Sequence, residues 1–414
     1  MSKPKLLVLN PLGDYAFNSY GWELCEAVGE QGAKIDFVTC GWREMAAEMP
    51  AAKRHEIVDR YGSSLWKPAR GGPAGVEKVK REAGAAGPAK GGGTEPKQRR
   101  VDWRKHYLAA ELLVNFRSRG SEWLWTQWPE CSAYANWLRK GAKLLGMRLA
   151  HTVHNVLPHE VRPEDREICG EVYRGAELLF VHSEMARRRL LEEFPELDAG
   201  KVVMHRMGTY TSYRRREGER AKWRQRWGVG EGEVVWLVCG SIRPYKNVDA
   251  VLEAMAGLGE QNTVLVVQGK ELGFAGKGDP LAHTKEKARE WGLEERIRWV
   301  PGMVSMDEMS ELMEAADGLL LPYKEGFGSA LLSVGMSFGL HILSTPVGGA
   351  PEYLAEYGWG TLIESEGAER IREGMARGGE SIRRGGGRRQ VAPESLSWQR
   401  AGRTIVGAFE QRRG

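Results

Sequence analysis

The sequence predicts an α/β protein built from two parallel-sheet units, and three observations carry that expectation. Short apolar runs alternate with longer helical stretches along the chain. The apolar runs are continuous rather than alternating, as strands buried on both faces by helices require. The length of 414 residues, 42% of them hydrophobic, exceeds one ordinary core and suits two units of about 150 to 200 residues each.

In the first half, strands are expected at Lys5–Leu9, Lys34–Thr39, Trp123–Thr126, Arg148–Val153, Leu178–Val181 and Val202–Met204, with helices such as Tyr20–Glu30 and Ser183–Glu193 between them. Residues 68–100 contain Arg70-Gly71-Gly72-Pro73 and Ala89-Lys90-Gly91-Gly92-Gly93-Thr94 but few large apolar residues, and read as a mobile insertion. Thr211–Gly232, polar and arginine-rich, reads as the connection, with Lys222–Trp227 open to being helical. The second half offers strands at Val234–Cys239, Thr263–Gln268, Ile297–Val300, Gly318–Leu321 and His341–Ser344, and helices such as Val248–Met255 and Met306–Ala315. Gly378-Gly379 and Gly385-Gly386-Gly387 mark a glycine-rich stretch before a final helix at Trp398–Glu410. The expected organisation is 1–210, a connection at 211–232, 233–392, and a terminal helix within 393–414.

Composition narrows the function classes. No apolar run approaches the roughly 18 to 20 residues a spanning helix needs, and Leu6–Leu9 is too short for a signal peptide. Cys25, Cys40, Cys131, Cys169 and Cys239 are scattered and form no Cys-x-x-Cys or Cys/His cluster, which suits reduced thiols in a cytoplasmic protein. The formal charge is +5, with arginine runs at 187–189, 214–216, 383–384 and 388–389. Such runs are either solvated faces or a docking surface for an anionic membrane at the inner face. No helix-turn-helix, RRM or zinc-finger spacing accompanies them, so a nucleic-acid partner is not expected.

The chemistry concentrates in the second half. Gly240-Ser241-Ile242-Arg243-Pro244-Tyr245-Lys246-Asn247 follows one expected strand and precedes a helix, and ligands of open parallel sheets bind beyond strand carboxyl ends. Arg243 and Lys246 then either meet an anionic group or face water as loop charges. Leu321-Pro322-Tyr323-Lys324-Glu325-Gly326-Phe327-Gly328-Ser329 repeats the arrangement, with glycines that let backbone approach a ligand and a helix N-terminus behind them. Glu325 supplies a carboxylate suited to sugar hydroxyls. Thr345-Pro346-Val347-Gly348-Gly349-Ala350-Pro351-Glu352 is a third such loop, and three together suit a sugar or phosphate site. No Asp-x-Asp pair or His/Cys cluster marks a metal, so no metal or other cofactor is expected.

These residues resemble the GT-B glycosyltransferases, specifically glycosyltransferase family 4, over most of the chain. Gly240–Lys246 is similar to the family segment whose Arg and Lys bind the donor diphosphate. Glu325-Gly326-Phe327-Gly328 resembles the first half of its signature, two glutamates separated by seven residues, and 339–349 resembles the segment that follows. Asn10-Pro11-Leu12-Gly13 resembles the N-terminal loop facing the donor phosphate, and Thr152-Val153-His154-Asn155 the histidine segment near the transferred sugar. Ser333 stands where the family's second, ribose-binding glutamate falls, and Asp14 follows Gly13 where many relatives have a glycine pair. Thr152 through Glu160, with Pro322-Tyr323 and Ser337-Phe338-Gly339, resembles a branch of bacterial polysaccharide-assembly transferases in which that second glutamate is often missing.

The resemblance implies two Rossmann-like domains facing across a cleft, with the last helix crossing back onto the first. It implies a hexosyl transfer from a nucleotide sugar to a glycan or lipid-linked acceptor, with retention. His154, Glu325, Arg243 and Lys246 would be catalytic. Gly13, Gly240, Arg243, Lys246, Glu325, Gly326, Phe327, Gly328, Ser329 and Ser333 would hold the donor. His159 and Glu160 either face the acceptor or cap the next segment. Trp123, Trp125, Trp128 and Trp137 pack a core or stack on acceptor sugars. Two other classes compete: a sugar-nucleotide-binding protein without turnover, and a basic surface-binding protein that borrows the fold.

Overall fold

A computed structural model of the chain describes residues 3–10, 16–39, 53–56, 103–127, 133–158, 161–216, 218–230, 232–259, 262–272, 278–326, 328–385 and 391–412. The proposed insertion at 68–100, Gly13, Trp128, His159, Glu160 and Phe327 lie outside the described residues.

Two parallel sheets organise the chain. The first contains β1 (Lys5–Asn10), β2 (Lys34–Thr39), β3 (Lys53–Glu56), β4 (Trp123–Thr126), β5 (Arg148–Thr152), β6 (Leu178–Val181) and β7 (Val202–Met204), in the order β3-β2-β1-β4-β5-β6-β7. Its helices are α1 (Ala16–Glu30), α2 (Trp103–Ser118), α3 (Ala133–Leu144), α4 (Asp165–Gly175) and α5 (Glu184–Glu193). After α6 (Glu219–Arg226), the second sheet contains β8 (Val234–Val238), β9 (Thr263–Gly269), β10 (Ile297–Pro301), β11 (Gly318–Leu321), β12 (His341–Ser344) and β13 (Gly360–Leu362), in the order β10-β9-β8-β11-β12-β13. It is served by α7 (Val248–Gly257), α8 (Ala282–Glu290), α9 (Met306–Ala315), α10 (Ala330–Ser337), α11 (Ala350–Tyr357) and α12 (Ala368–Arg384), and α13 (Trp398–Gln411) ends the chain. Every residue of β8 and β9 is buried, which is why these strands read as unbroken apolar runs.

Two strands carried no such signal. β3, Lys-Arg-His-Glu, and β13, Gly-Thr-Leu, are sheet edges, where one neighbour supplies the hydrogen bonds and little apolar surface needs covering. The pair Gly378-Gly379 of the glycine-rich stretch lies inside the 17-residue α12. A Cβ on Gly378 would sit 2.8 Å from the Trp236 ring, so glycine here buys close helix–sheet contact.

The last helix returns to the first sheet. Phe409 of α13 packs against Trp123, Trp125 and Phe180 with ring centroids 4.9, 5.5 and 5.5 Å apart, which makes Trp123 and Trp125 core residues. Lys3 Nζ meets Glu410 Oε1 at 2.9 Å, and Thr209 N donates to Leu396 O at 2.9 Å. The buried Glu23 of α1 accepts from Thr211 N, Thr211 Oγ1 and Ser212 N at 2.7, 2.9 and 2.6 Å, fixing the chain as it leaves the first sheet. Burial pushes its carboxyl up, against the pull of those hydrogen bonds.

The α13 crossing depends on Gly402, whose Cβ would lie 2.5 Å from Ala27 O on α1. A backbone atom cannot yield as a side chain can. Gly402→Ala is therefore expected to cost about 1 to 3 kcal/mol in urea unfolding, and unchanged stability would mean that α13 is not seated this closely.

Candidate functional site

The β8 and β11 loops flank the point where the second sheet reverses its strand order, the crevice where open α/β sheets bind ligands. After β8, Gly240 turns the chain with φ +89°, and a Cβ there would lie 2.9 Å from Lys246 Nζ. The short turn Pro244–Lys246 then directs Lys246 inward. Lys246 is only 6% exposed and its ammonium donates to Cys239 O at 2.8 Å. Burial pushes its pKa down, Cys239 opposes that, and Arg243 adds to it. Arg243 is half-buried, and among the described residues neither cation forms an ion pair with a carboxylate. Two cations, one desolvated, are thus gathered with no carboxylate in ion-pair contact among the described residues.

The β11 loop is knitted to this one. Lys324 N donates to Tyr245 O at 2.8 Å, Tyr245 and Tyr323 meet edge-on at 5.5 Å, and Lys246 Nζ lies 5.9 Å from the Tyr323 ring centre. Glu325 is exposed beside Gly326, whose φ of +147° few other residues adopt. Ser333, expected at the ribose, is completely buried within α10, and its hydroxyl has no partner among the described residues.

Tyr323, Gly326, Gly328, Ser329, Val347 and Gly349 line one side of an open cleft; His182, Ser183 and Met207 line the other. The halves touch at its base, where a Cβ on Gly349 would lie 2.9 Å from Ser183 Cβ. Glu352 of α11 accepts from Glu184 N and Met185 N at 2.9 and 2.8 Å, on the first turn of α5, and from Arg206 Nη1 at 2.6 Å. Arg206 Nε also reaches Glu356 at 2.7 Å, and Tyr353 OH links Met207 N at 2.7 Å to His182 O at 3.1 Å. Burial raises the Glu352 carboxyl, but the amides and Arg206 outweigh it and hold the pKa below its ordinary value. The sequence showed Glu352 only as the end of a glycine-rich loop; Ser183-Glu184, a helix start, was the sole hint of its counterpart.

His154 lies beyond β5 on the first half, with Nδ1 3.2 Å from His182 Nε2. Burial and then His205 lower its pKa to about 3, against a hydrogen bond to the Gln127 backbone. It does not itself line the cleft; His182 does.

Two parallel sheets facing across a cleft, with a terminal helix returned to the first, define the GT-B fold. Residues 219–378 match the family model described as glycosyl transferases group 1. The chain is 27% identical over 250 residues to D-inositol 3-phosphate glycosyltransferase of Streptomyces avermitilis, covering 56% of this chain and 52% of that protein. It is 34% identical over 145 residues to the lipopolysaccharide glucosyltransferase WaaG of Escherichia coli K12, covering 34% and 36%. The chain thus spans about half the length, or less, of these curated relatives. Its structure resembles that of WaaG with a TM-score of 0.57 at 15% identity, over 99% of this chain and 95% of that one. It also resembles Anabaena HepE in complex with UDP and glucose, with a TM-score of 0.60 at 14% identity, over 99% and 98%.

Removing the Glu352 side chain leaves two helix-terminal amides and Arg206 Nη1 without this acceptor, while Arg206 Nε keeps Glu356. Glu352→Ala is expected to lose about 2 kcal/mol in urea unfolding near neutral pH. A carboxyl with a lowered folded pKa contributes fully above its unfolded pKa and loses the contribution as pH falls through the folded one. The difference between parent and variant should therefore shrink on acidification; a gap that widens in acid would contradict the clamp.

Proposed function

We propose that the chain is a glycosyltransferase that moves a hexose from a nucleotide-sugar donor to a glycan or lipid-linked acceptor in polysaccharide or glycoconjugate synthesis. The observation that carries this reading is the pair Arg243 and Lys246, cationic, without a carboxylate ion-pair partner among the described residues, and set at the sheet's switch point. A diphosphate supplies the missing negative charge, and as a leaving group it gains charge when the sugar–phosphate bond breaks, so fixed cations favour the transition state. This requires no metal, and the reaction retains configuration at the anomeric carbon by likeness to family 4. Glu325 orients the sugar, Ser329 and the α10 N-terminus approach the phosphates, and His154 acts from the first half, 3.2 Å from the cleft-lining His182. The group 1 match over the second half and the UDP bound by HepE support a nucleotide-sugar donor.

The chain works in the cytoplasm, peripheral to an anionic membrane. Among the described residues no helix is long and apolar enough to cross one. Support for peripheral contact comes from α2 and α3, where Val114 and Leu144 are 54% and 89% exposed beside Arg117, Arg119, Lys140 and Lys143. The buried Ser333 favours a second reading, a sugar-nucleotide-binding protein without turnover, because it brings no carboxylate to a ribose.

Turnover screened across UDP-, GDP- and ADP-sugars separates the two readings. In the active case, Arg243→Ala lowers donor turnover about ten- to a hundredfold while leaving thermal stability nearly unchanged. Lys246→Ala lowers turnover likewise but also loses stability, since its buried ammonium holds the Cys239 carbonyl. Full turnover in both variants would sink the diphosphate assignment, and nucleotide binding without turnover of any donor would establish the second reading.

A further inference from the structure

Three imidazoles stand in a row at the carboxyl ends of β5, β6 and β7. His154 and His182 have ring centres 5.0 Å apart, and His182 and His205 4.9 Å. Tyr20 of α1 packs edge-on against the first two at 4.7 and 5.4 Å. Burial lowers the pKa of all three rings, to about 3 in His154 and about 4 in His205, so they are neutral near pH 7. A neutral ring carries one N–H on either of its two nitrogens, so the pair facing each other across 3.2 Å, His182 Nε2 and His154 Nδ1, forms a hydrogen bond in the tautomers that place one proton between them, beside the bond of His154 to the Gln127 backbone.

Packing alone does not call for this arrangement. An apolar side chain would fill the His182 position without desolvating ring nitrogens. His182 is moreover the member of the row that lines the cleft, opposite Tyr323 and beside Ser183.

We infer that His182 is a positioning residue: through the shared proton and the packing of Tyr20 and His205, it fixes the ring plane and tautomer of His154. The kinetic consequence rests on the glycosyltransferase reading; the tautomer does not.

His182→Phe keeps a ring and removes the nitrogens, whereas His182→Gln returns an amide close to Nε2. With the preferred donor, His182→Phe is expected to lower kcat about three- to tenfold with little change in donor KM. In a His154→Ala background the same substitution should cost less than about twofold, because the hydrogen bond it removes is already gone. His182→Gln should recover most of the lost kcat. Equal losses in both backgrounds, or equally slow Gln and Phe variants, would overturn the inference. Nitrogen-15 NMR of the parent imidazoles decides the same point without turnover and without relying on a folded Phe variant. A single tautomer at His154 that becomes averaged in His182→Phe and persists in His182→Gln supports the inference; averaging already present in the parent overturns it. A parent that turns over no donor defeats the glycosyltransferase reading and leaves the tautomer measurement to judge this one.

Discussion

The Glu352 carboxylate joins the halves because it meets three donors at once, the amides of Glu184 and Met185 and the guanidinium of Arg206. The first-turn amides of a helix have no partner within the helix, and its dipole favours a negative charge there. Here α5 receives that charge from α11 of the other half. The spacing between the cleft walls follows from this contact, since Ser183 caps α5 and Gly349 precedes α11. Tyr353, one residue on from Glu352, extends the join to His182 and Met207. A hydrophobic seam would have allowed sliding; a carboxylate on two amides fixes direction as well as distance.

On either side of this join the electrostatics differ. The second half gathers positive charge at its switch point, with Lys246 desolvated and Arg243 half-exposed. The first half presents the imidazole of His182, backed by those of His154 and His205, all kept neutral by burial. One wall therefore answers an anion, while the other offers directional hydrogen bonding without net charge. That division matches a substrate whose leaving group is anionic and whose transferred group is a neutral polyhydroxylated ring.

Much of the fold was legible because continuous burial leaves a continuous apolar run. β1, β8, β9 and β11 could be read within a residue or two for that reason, and α13 because its apolar face recurs at helical spacing. β3 was not legible, since an edge strand of Lys-Arg-His-Glu has no apolar pattern, and Gly378-Gly379 gave no helix signal because glycine is a poor helix former. The cationic loop was legible through its place between strand and helix. The burial of Lys246, its bond to Cys239 and the knitting of Tyr245 to Tyr323 were not.

Local sequence determined the elements, their order and the loops that carry charge, because propensity, periodicity and turn chemistry act over a few residues. Tertiary structure alone decided which groups meet across the cleft. Glu352 and Glu184 are separated by 168 positions, Arg206 and Glu352 by 146, and His154 and His182 by 28. No short-range pattern encodes such pairings; they arise when two sheets and the helix that returns between them bring distant strand ends to one place.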